Sequence, residues 1–178
     1  MSDPLVEIIE PFSLATQGRT LEGRIPLAAL QRLAPLLRST EGEVAYTLHF
    51  EVDQGGVPRV QGHVEATLML QCQRCMMDMP FVVSNPVQLG IVRTRQAAEQ
   101  LPANLEPLLV DAEGVTVGSI VEDELILALP VVAMHELEAC PEGEAIRHKP
   151  GADQEDASAE SEQRENPFAV LAQLKKHD

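Results

Sequence analysis

A chain of 178 residues with 44% hydrophobic content is long enough for one domain with its own core and too short for two ordinary ones. Aromatic residues make up only 3%, with no Trp and one Tyr, so the core must be built from Val, Leu, Ile, Ala and Met. A formal net charge of −15 disfavours unaided binding to nucleic acid phosphates and favours basic partners.

The charge is uneven. Residues 136–165 hold ten acidic side chains against Arg147, Lys149 and Arg164, nearly half of the net excess in one sixth of the chain. The opening "MSDPLVEIIEPF" is acidic and lacks the basic start and apolar run of a secretory leader. No stretch approaches the roughly 18 apolar residues that a membrane helix needs. Three cysteines, an odd number, do not make a disulfide framework. The expectation is a cytoplasmic, reducing environment with no membrane partner.

In chain order, "RTLEGRIPLAALQRLAPLL" begins as a strand and is expected to become a helix. Pro26 suits a first helical turn, Leu27, Leu30 and Leu33 recur at helical spacing, and Pro35 should end or bend it. In "EVAYTLHFEVD", Val44, Tyr46, Leu48, Phe50 and Val52 alternate with mostly polar neighbours, as in a strand with one buried face. "QGGVPR" is turn chemistry, and "VQGHVEATLMLQ" alternates again. Two alternating runs around a short glycine loop predict an antiparallel hairpin. His49 and His63 then fall on its two strands, on the solvent face, placed to pair across it. "PFVVSNPVQLGIVR" adds two shorter strand candidates separated at Asn85-Pro86.

"TVGSIVEDELILALP" breaks the alternation and predicts a helix with an apolar stripe, capped by Thr116, ended by Pro130 and able to cover the sheet. Its Glu122-Asp123-Glu124 triplet is expected to be a solvated face. "PGADQEDASAESEQRE" lacks apolar periodicity and is expected to be disordered. "NPFAVLAQLKKHD" regains order signals: Asn166 as cap, Pro167 at the first helical position, one apolar face of Phe168, Val170, Leu171 and Leu174, and Lys175 and Lys176 at the cation-favouring end. The expected architecture is α+β: a mainly antiparallel sheet with a covering helix over residues 1–145, an acidic linker over 146–165 and a short amphipathic helix over 166–178. That last helix is read as a docked element or a hook for a partner.

No nucleophile, phosphate-cradling or dinucleotide motif is present, so neither an enzyme nor a small-molecule substrate is expected. The chemistry-bearing feature is "LQCQRC", with Cys72 and Cys75 at the end of the predicted second hairpin strand. A redox CxxC normally opens a helix, which the following "MMDMPF" does not favour. A structural zinc site needs four soft ligands, commonly from two segments. Cys72 and Cys75 supply half, and His135 and Cys140 in "HELEAC" are the candidates for the other half. Zinc ligation and simple packing of the thiols both fit. A thiol-redox or metal-dependent enzyme using the Cys72/Cys75 pair is the alternative function.

"LQCQRC", "VEDELILALPVVAMHE" with a cysteine shortly after, and the terminal "NPFAVLAQLKK" together resemble the YceD family, also called large ribosomal RNA subunit accumulation proteins, in its proteobacterial type. The resemblance runs from about residue 20 to the end. It implies a non-enzymatic ribosome-biogenesis role in the synthesis, processing or stability of large-subunit (23S) ribosomal RNA, and it brings no catalytic residue. Other branches carry extra cysteine pairs after "ALP", where this chain keeps only Cys140 with His135 nearby. Contact with rRNA would be direct or through a basic ribosomal protein. The candidate contacts are Arg59, Arg74, Arg93 and Arg95 near the hairpin, and Phe168, Leu171, Lys175 and Lys176 in the tail. No aromatic platform for stacking bases is evident.

Overall fold

A computed structural model describes residues 8–110 and 114–141 of the chain. The elements run β1 (Ile8–Ile9), α1 (Pro11–Gln17), β2 (Thr20–Pro26), β3 (Glu43–Val52), β4 (Pro58–Gln71), β5 (Asp78–Val92), α2 (Arg95–Ala98), β6 (Glu106–Leu109), β7 (Val115–Thr116) and α3 (Val117–Ala128). The fold is α+β. Five strands form one sheet in the order β2-β3-β4-β5-β6, antiparallel except for the parallel β5–β6 pair, and β1 pairs with β7 separately. The predicted linker and the C-terminal helix, with Phe168, Leu171, Lys175 and Lys176, lie outside the described residues.

The alternating runs form the expected hairpin. Val44, Tyr46, Leu48 and Phe50 of β3 and Val60, Val64, Ala66, Leu68 and Leu70 of β4 point into the core, while Val52 at the end of β3 is exposed. Gly62 faces Leu48 in the register, and a Cβ there would run into the Thr47 carbonyl. His49 and His63 do not pair with each other. His49 Nδ1 meets Thr20 Oγ1 at 2.8 Å and His63 Nε2 meets Ser84 Oγ at 2.9 Å, so each bonds to a different outer strand.

The two strands expected around Asn85-Pro86 are a single strand, β5, paired with β4 from Gln71↔Asp78 to Arg59↔Gly90. In an antiparallel pair only every second residue donates to its partner. Pro80 and Pro86 share one parity, so both fit an unbroken ladder to β4. An unpredicted helix, α1, also forms. Its signals are Pro11 at the first turn and Gly18 just past the end at φ 62°.

The helix expected after Pro26 is replaced by two 3₁₀ turns, Leu27–Ala29 and Ala34–Leu36. Leu27, Leu30 and Leu33 are buried as their spacing suggested, but the backbone is claimed by another element. The Glu122 carboxylate of α3 accepts from the Arg32 amide at 2.7 Å and the Leu33 amide at 3.1 Å, donors that a helix would have turned inward on itself. Arg32 Nε adds a third bond to Glu122 at 3.0 Å, and its Nη1 reaches Asp123 at 2.6 Å.

The acidic triplet is therefore not a solvated face. Glu122 and Glu124 are buried, and only Asp123 is exposed. α3 is otherwise as expected: Thr116 caps it in a reciprocal capping box with Ser119, and Val117, Ile120, Val121 and Leu125 join the core beneath the sheet.

Truncating Glu122 strands the buried Leu33 amide, at a cost of about 1–3 kcal/mol when unsatisfied, and also removes the acceptor of the part-buried Arg32 amide. Glu122→Ala should lower unfolding free energy by roughly 2–4 kcal/mol in a denaturant titration, against about 1 kcal/mol or less for Asp123→Ala at its exposed pair. Glu124 behaves oppositely. Burial and the nearby Glu106 carboxylate raise its pKa above the usual range, although Asn85 donates to it at 3.2 Å. The folded state then holds this proton more tightly than the unfolded chain, so stability from this group is full at acid pH and is lost as pH rises through the folded pKa. Glu124→Gln should raise the melting temperature at neutral pH and give little gain at acid pH.

Candidate metal centre

Cys72 follows the last residue of β4, and Asp78 opens β5. The CxxC is thus the turn of the longest hairpin in the fold. Cys72 donates its amide to the Met77 carbonyl at 2.9 Å, and the Met76 amide returns to the Cys72 carbonyl at 2.9 Å. Closing the turn this tightly puts Met76 in the left-handed region at φ 60°, which no other described non-glycine residue adopts. A β-strand follows Cys75 rather than a helix, so the helix-start geometry of a redox CxxC is absent here.

The second half of the cluster arrives from the end of α3. Pro130 stops the helix, and the chain then runs beside the turn, tied by the Gln73 amide to the Ala133 carbonyl at 2.8 Å. This brings in His135 and Cys140. One ligand atom from each of Cys72, Cys75, His135 and Cys140 lies within 4.8 Å of every other. Cys75 Sγ and His135 Nδ1 are 3.4 Å apart. Tetrahedral zinc with Zn–S of about 2.3 Å and Zn–N of about 2.0 Å sets an S···N edge of roughly 3.5 Å and an S···S edge of roughly 3.8 Å. Three sulfurs and one imidazole at these spacings are close enough to hold one metal ion.

The surrounding atoms suit that task. His135 Nε2 lies 3.1 Å from the Asp78 carbonyl, which can only accept a hydrogen bond. The proton of a neutral ring therefore sits on Nε2, leaving the Nδ1 lone pair directed at the cysteines. Arg74 donates Nε to Cys140 Sγ at 3.1 Å and Nη2 to the His135 carbonyl at 2.7 Å, so one guanidinium orders both halves and supplies positive charge beside the sulfurs. Burial raises the Cys72 thiol pKa, but the amides of Cys75, His135 and Arg74, with the Cys75 side chain, bring it down to about 5. Cys75 is raised, first by burial and then by its neighbours Cys72 and Cys140. His135 is drawn toward its cation: burial lowers its pKa, but Cys72, the Asp78 carbonyl and Cys140 raise it further. A lowered Cys72 thiol beside a raised His135 ring is a setting in which a metal cation could take the place of the ring's extra proton. None of the three cysteines forms a disulfide.

The arginines do not converge on one surface. Arg74 is half-buried in the metal cluster, while Arg59 sits opposite Gly90 at the far end of the hairpin, about 40 Å away at the usual rise per strand residue. Arg59 pairs with Glu51 at 2.6 Å, and the Arg93 guanidinium lies 4.3 Å from the centre of the Phe12 ring. Arg95 is exposed on the short α2. The orienting role of the Asp78 carbonyl had no sequence signal, because 57 residues separate it from His135.

The family model described as "Large ribosomal RNA subunit accumulation protein YceD" matches residues 60–175, from β4 through all four cluster residues. A protein of that name from Haemophilus influenzae is 32% identical over 168 residues, 94% of each chain. The chain belongs to the YceD family. No solved structure matches it. No helix among the described residues is long and apolar enough to cross a membrane.

Proposed function

We propose that this YceD-family protein is a non-enzymatic cytoplasmic factor in the synthesis, processing or stability of large-subunit (23S) ribosomal RNA, with a structural zinc ion held by Cys72, Cys75, His135 and Cys140. The observation that carries the rRNA role is the near-full-length likeness to a large ribosomal RNA subunit accumulation protein. The zinc assignment is carried by the donor set. Three cysteines and one histidine are a closed structural combination, with no fifth side chain in the group among the described residues and two of the four ligands buried. Zinc there would supply folding free energy by tying the β4–β5 turn to the segment after α3.

The placement of the arginines favours a protein-mediated contact with the particle. Arg59, Arg74 and Arg93 are each engaged within the fold, and the overall charge is −15. A thiol-redox role is less well supported, because no helix begins at the cysteines and Cys72 is 0% exposed.

Deleting the gene should lower the ratio of free large to free small ribosomal subunits on a sucrose gradient, with a matching fall in large-subunit rRNA. Unchanged profiles and rRNA levels would reject the role. Purified protein should carry about one zinc per chain by elemental analysis, and Cys72→Ser or Cys75→Ser should each lose it with a marked drop in melting temperature. Arg74→Met, which leaves all four ligands in place, should weaken zinc affinity by about 10–100-fold in a chelator competition. Metal-free protein that melts like the untreated sample would assign the cluster to packed thiols.

A further inference from the structure

A hollow of about 280 Å³ lies between α3 and the edge strand β6 and shares no residue with the metal cluster. Ile120, Asp123, Glu124 and Leu127 recur along α3 at i, i+3, i+4 and i+7, so they share one face of the helix, and all four line the hollow. Glu106, Pro107 and Leu108 of β6 line it as well. Carboxylates are thus set among apolar side chains, and Leu127 stands 70% exposed. Hollows that take drug-sized molecules run from roughly 300 to 1,000 Å³, so this one is of a size for a single side chain.

The charge here is not balanced. Glu124 is only 6% exposed, and its Oε2 accepts from Asn85 Nδ2 at 3.2 Å. Its Oε1 has no donor among the described residues. No buried side-chain oxygen among them is both sealed from solvent and unbonded, so Oε1 is reachable from outside. Arg32 is the cation among the lining residues, but its guanidinium is engaged: Nε bonds Glu122 at 3.0 Å, Nη1 bonds Asp123 at 2.6 Å, and Nη2 approaches the Ser119 carbonyl at 3.5 Å. Neither Glu106 nor Glu124 has an ion-pair partner among the described residues. A buried carboxylate without a cation costs stability, which the neutral Asn85 amide offsets only in part. The complement of this site is a cation on an apolar stem. Arginine matches it best, since its stem packs on apolar surface and its weakly hydrated, forked guanidinium can serve two carboxylates.

We infer that the hollow between α3 and β6 receives an arginine side chain of a basic partner protein, its stem against Leu108, Ile120 and Leu127 and its guanidinium at Glu124 and Glu106. The inference deepens the protein-mediated contact proposed above and rests on it for the partner's class. It is tested by binding alone, so its failure would leave the rRNA role standing. The full-length protein, methyl-labelled at isoleucine and leucine, is titrated with the blocked pentapeptide Ala-Ala-Arg-Ala-Ala and with its citrulline counterpart, which keeps the shape without the charge. The arginine peptide should give saturable shifts of the Leu108, Ile120 and Leu127 methyl signals, and the citrulline peptide should not. Glu124→Gln and Glu106→Gln should each weaken binding about tenfold or more. Loss of fold cannot account for the first, because Glu124→Gln is expected to melt higher at neutral pH. Glu22→Gln removes the same charge from an exposed position on β2 and should bind like the parent. A protonated Glu124 offers no charge, so binding should strengthen as pH rises through its raised pKa, with Glu106, Asp123 and Arg32 as the other charged groups lining the hollow. Glu124→Gln should flatten that dependence. Equal binding by the citrulline peptide, no saturable binding by the arginine peptide, shifts confined to other methyl groups, or full binding retained by Glu124→Gln or Glu106→Gln would overturn the inference.

Discussion

The turn between β4 and β5 is the constraint on which the metal-cluster end of the molecule depends. Two long strands paired from Arg59↔Gly90 to Gln71↔Asp78 must reverse within the residues from Cys72 to Met77. The reversal is held by amide bonds from Cys72 to Met77 and from Met76 to Cys72, and it forces Met76 to φ 60°. A non-glycine residue in that region costs about 1–2 kcal/mol and persists only where its surroundings hold it. The same turn brings the sulfurs of Cys72 and Cys75 into the ligand group and leaves Met76 and Met77 exposed. The ligand geometry and the apolar exposure thus share one backbone cause.

α3 is the second determinant, because it links the core to the cluster. Its N-terminus is fixed by the Thr116–Ser119 capping box, and its apolar stripe is buried with the sheet. Glu122 then reaches sideways to take the amides of Arg32 and Leu33. The carboxylate works as an internal cap for a segment that has no regular structure of its own. With the helix held at both its start and its middle, Pro130 releases the chain at a defined point, and Gln73 captures it at Ala133. His135 and Cys140 arrive opposite the CxxC for that reason. Arg74 completes the join by bonding to one residue's sulfur and the other's carbonyl.

Charge and apolar exposure divide the functional reading. Among the described residues, several arginines that could meet a phosphate are instead paired within the fold: Arg32 with Glu122 and Asp123, Arg38 with Asp78, and Arg59 with Glu51. Exposed at the cluster end are Met76, Met77, Val131, Val132 and Met134 together with Gln73, Asp78 and Glu136. For a member of a family tied by name to rRNA accumulation, the proposed contact through a basic protein rests on this arginine pairing and on the net charge of −15.

Much of the fold was legible in one dimension. Two-residue alternation placed the β3–β4 hairpin and its inward residues, because a strand's pleat repeats in the sequence itself. Thr116 and Pro130 bounded α3, because caps and breakers act over a few residues. Residue type also marked Cys72, Cys75, His135 and Cys140 as candidate metal ligands, and the tertiary structure places one ligand atom of each within 4.8 Å of the others. Other outcomes depended on partners distant in the chain. The leucines at 27, 30 and 33 had helical spacing, yet Glu122, about ninety residues away, took the amides and left two 3₁₀ turns. The acidic triplet looked solvated, since no local pattern distinguishes a surface carboxylate from one buried against a remote backbone. Pro86 looked like a break, and only its parity against β4 made it part of a continuous strand. The dispersal of the arginines and the tautomer of His135 likewise follow from three-dimensional neighbours: local periodicity records which face a side chain takes, whereas tertiary packing decides which remote group meets it.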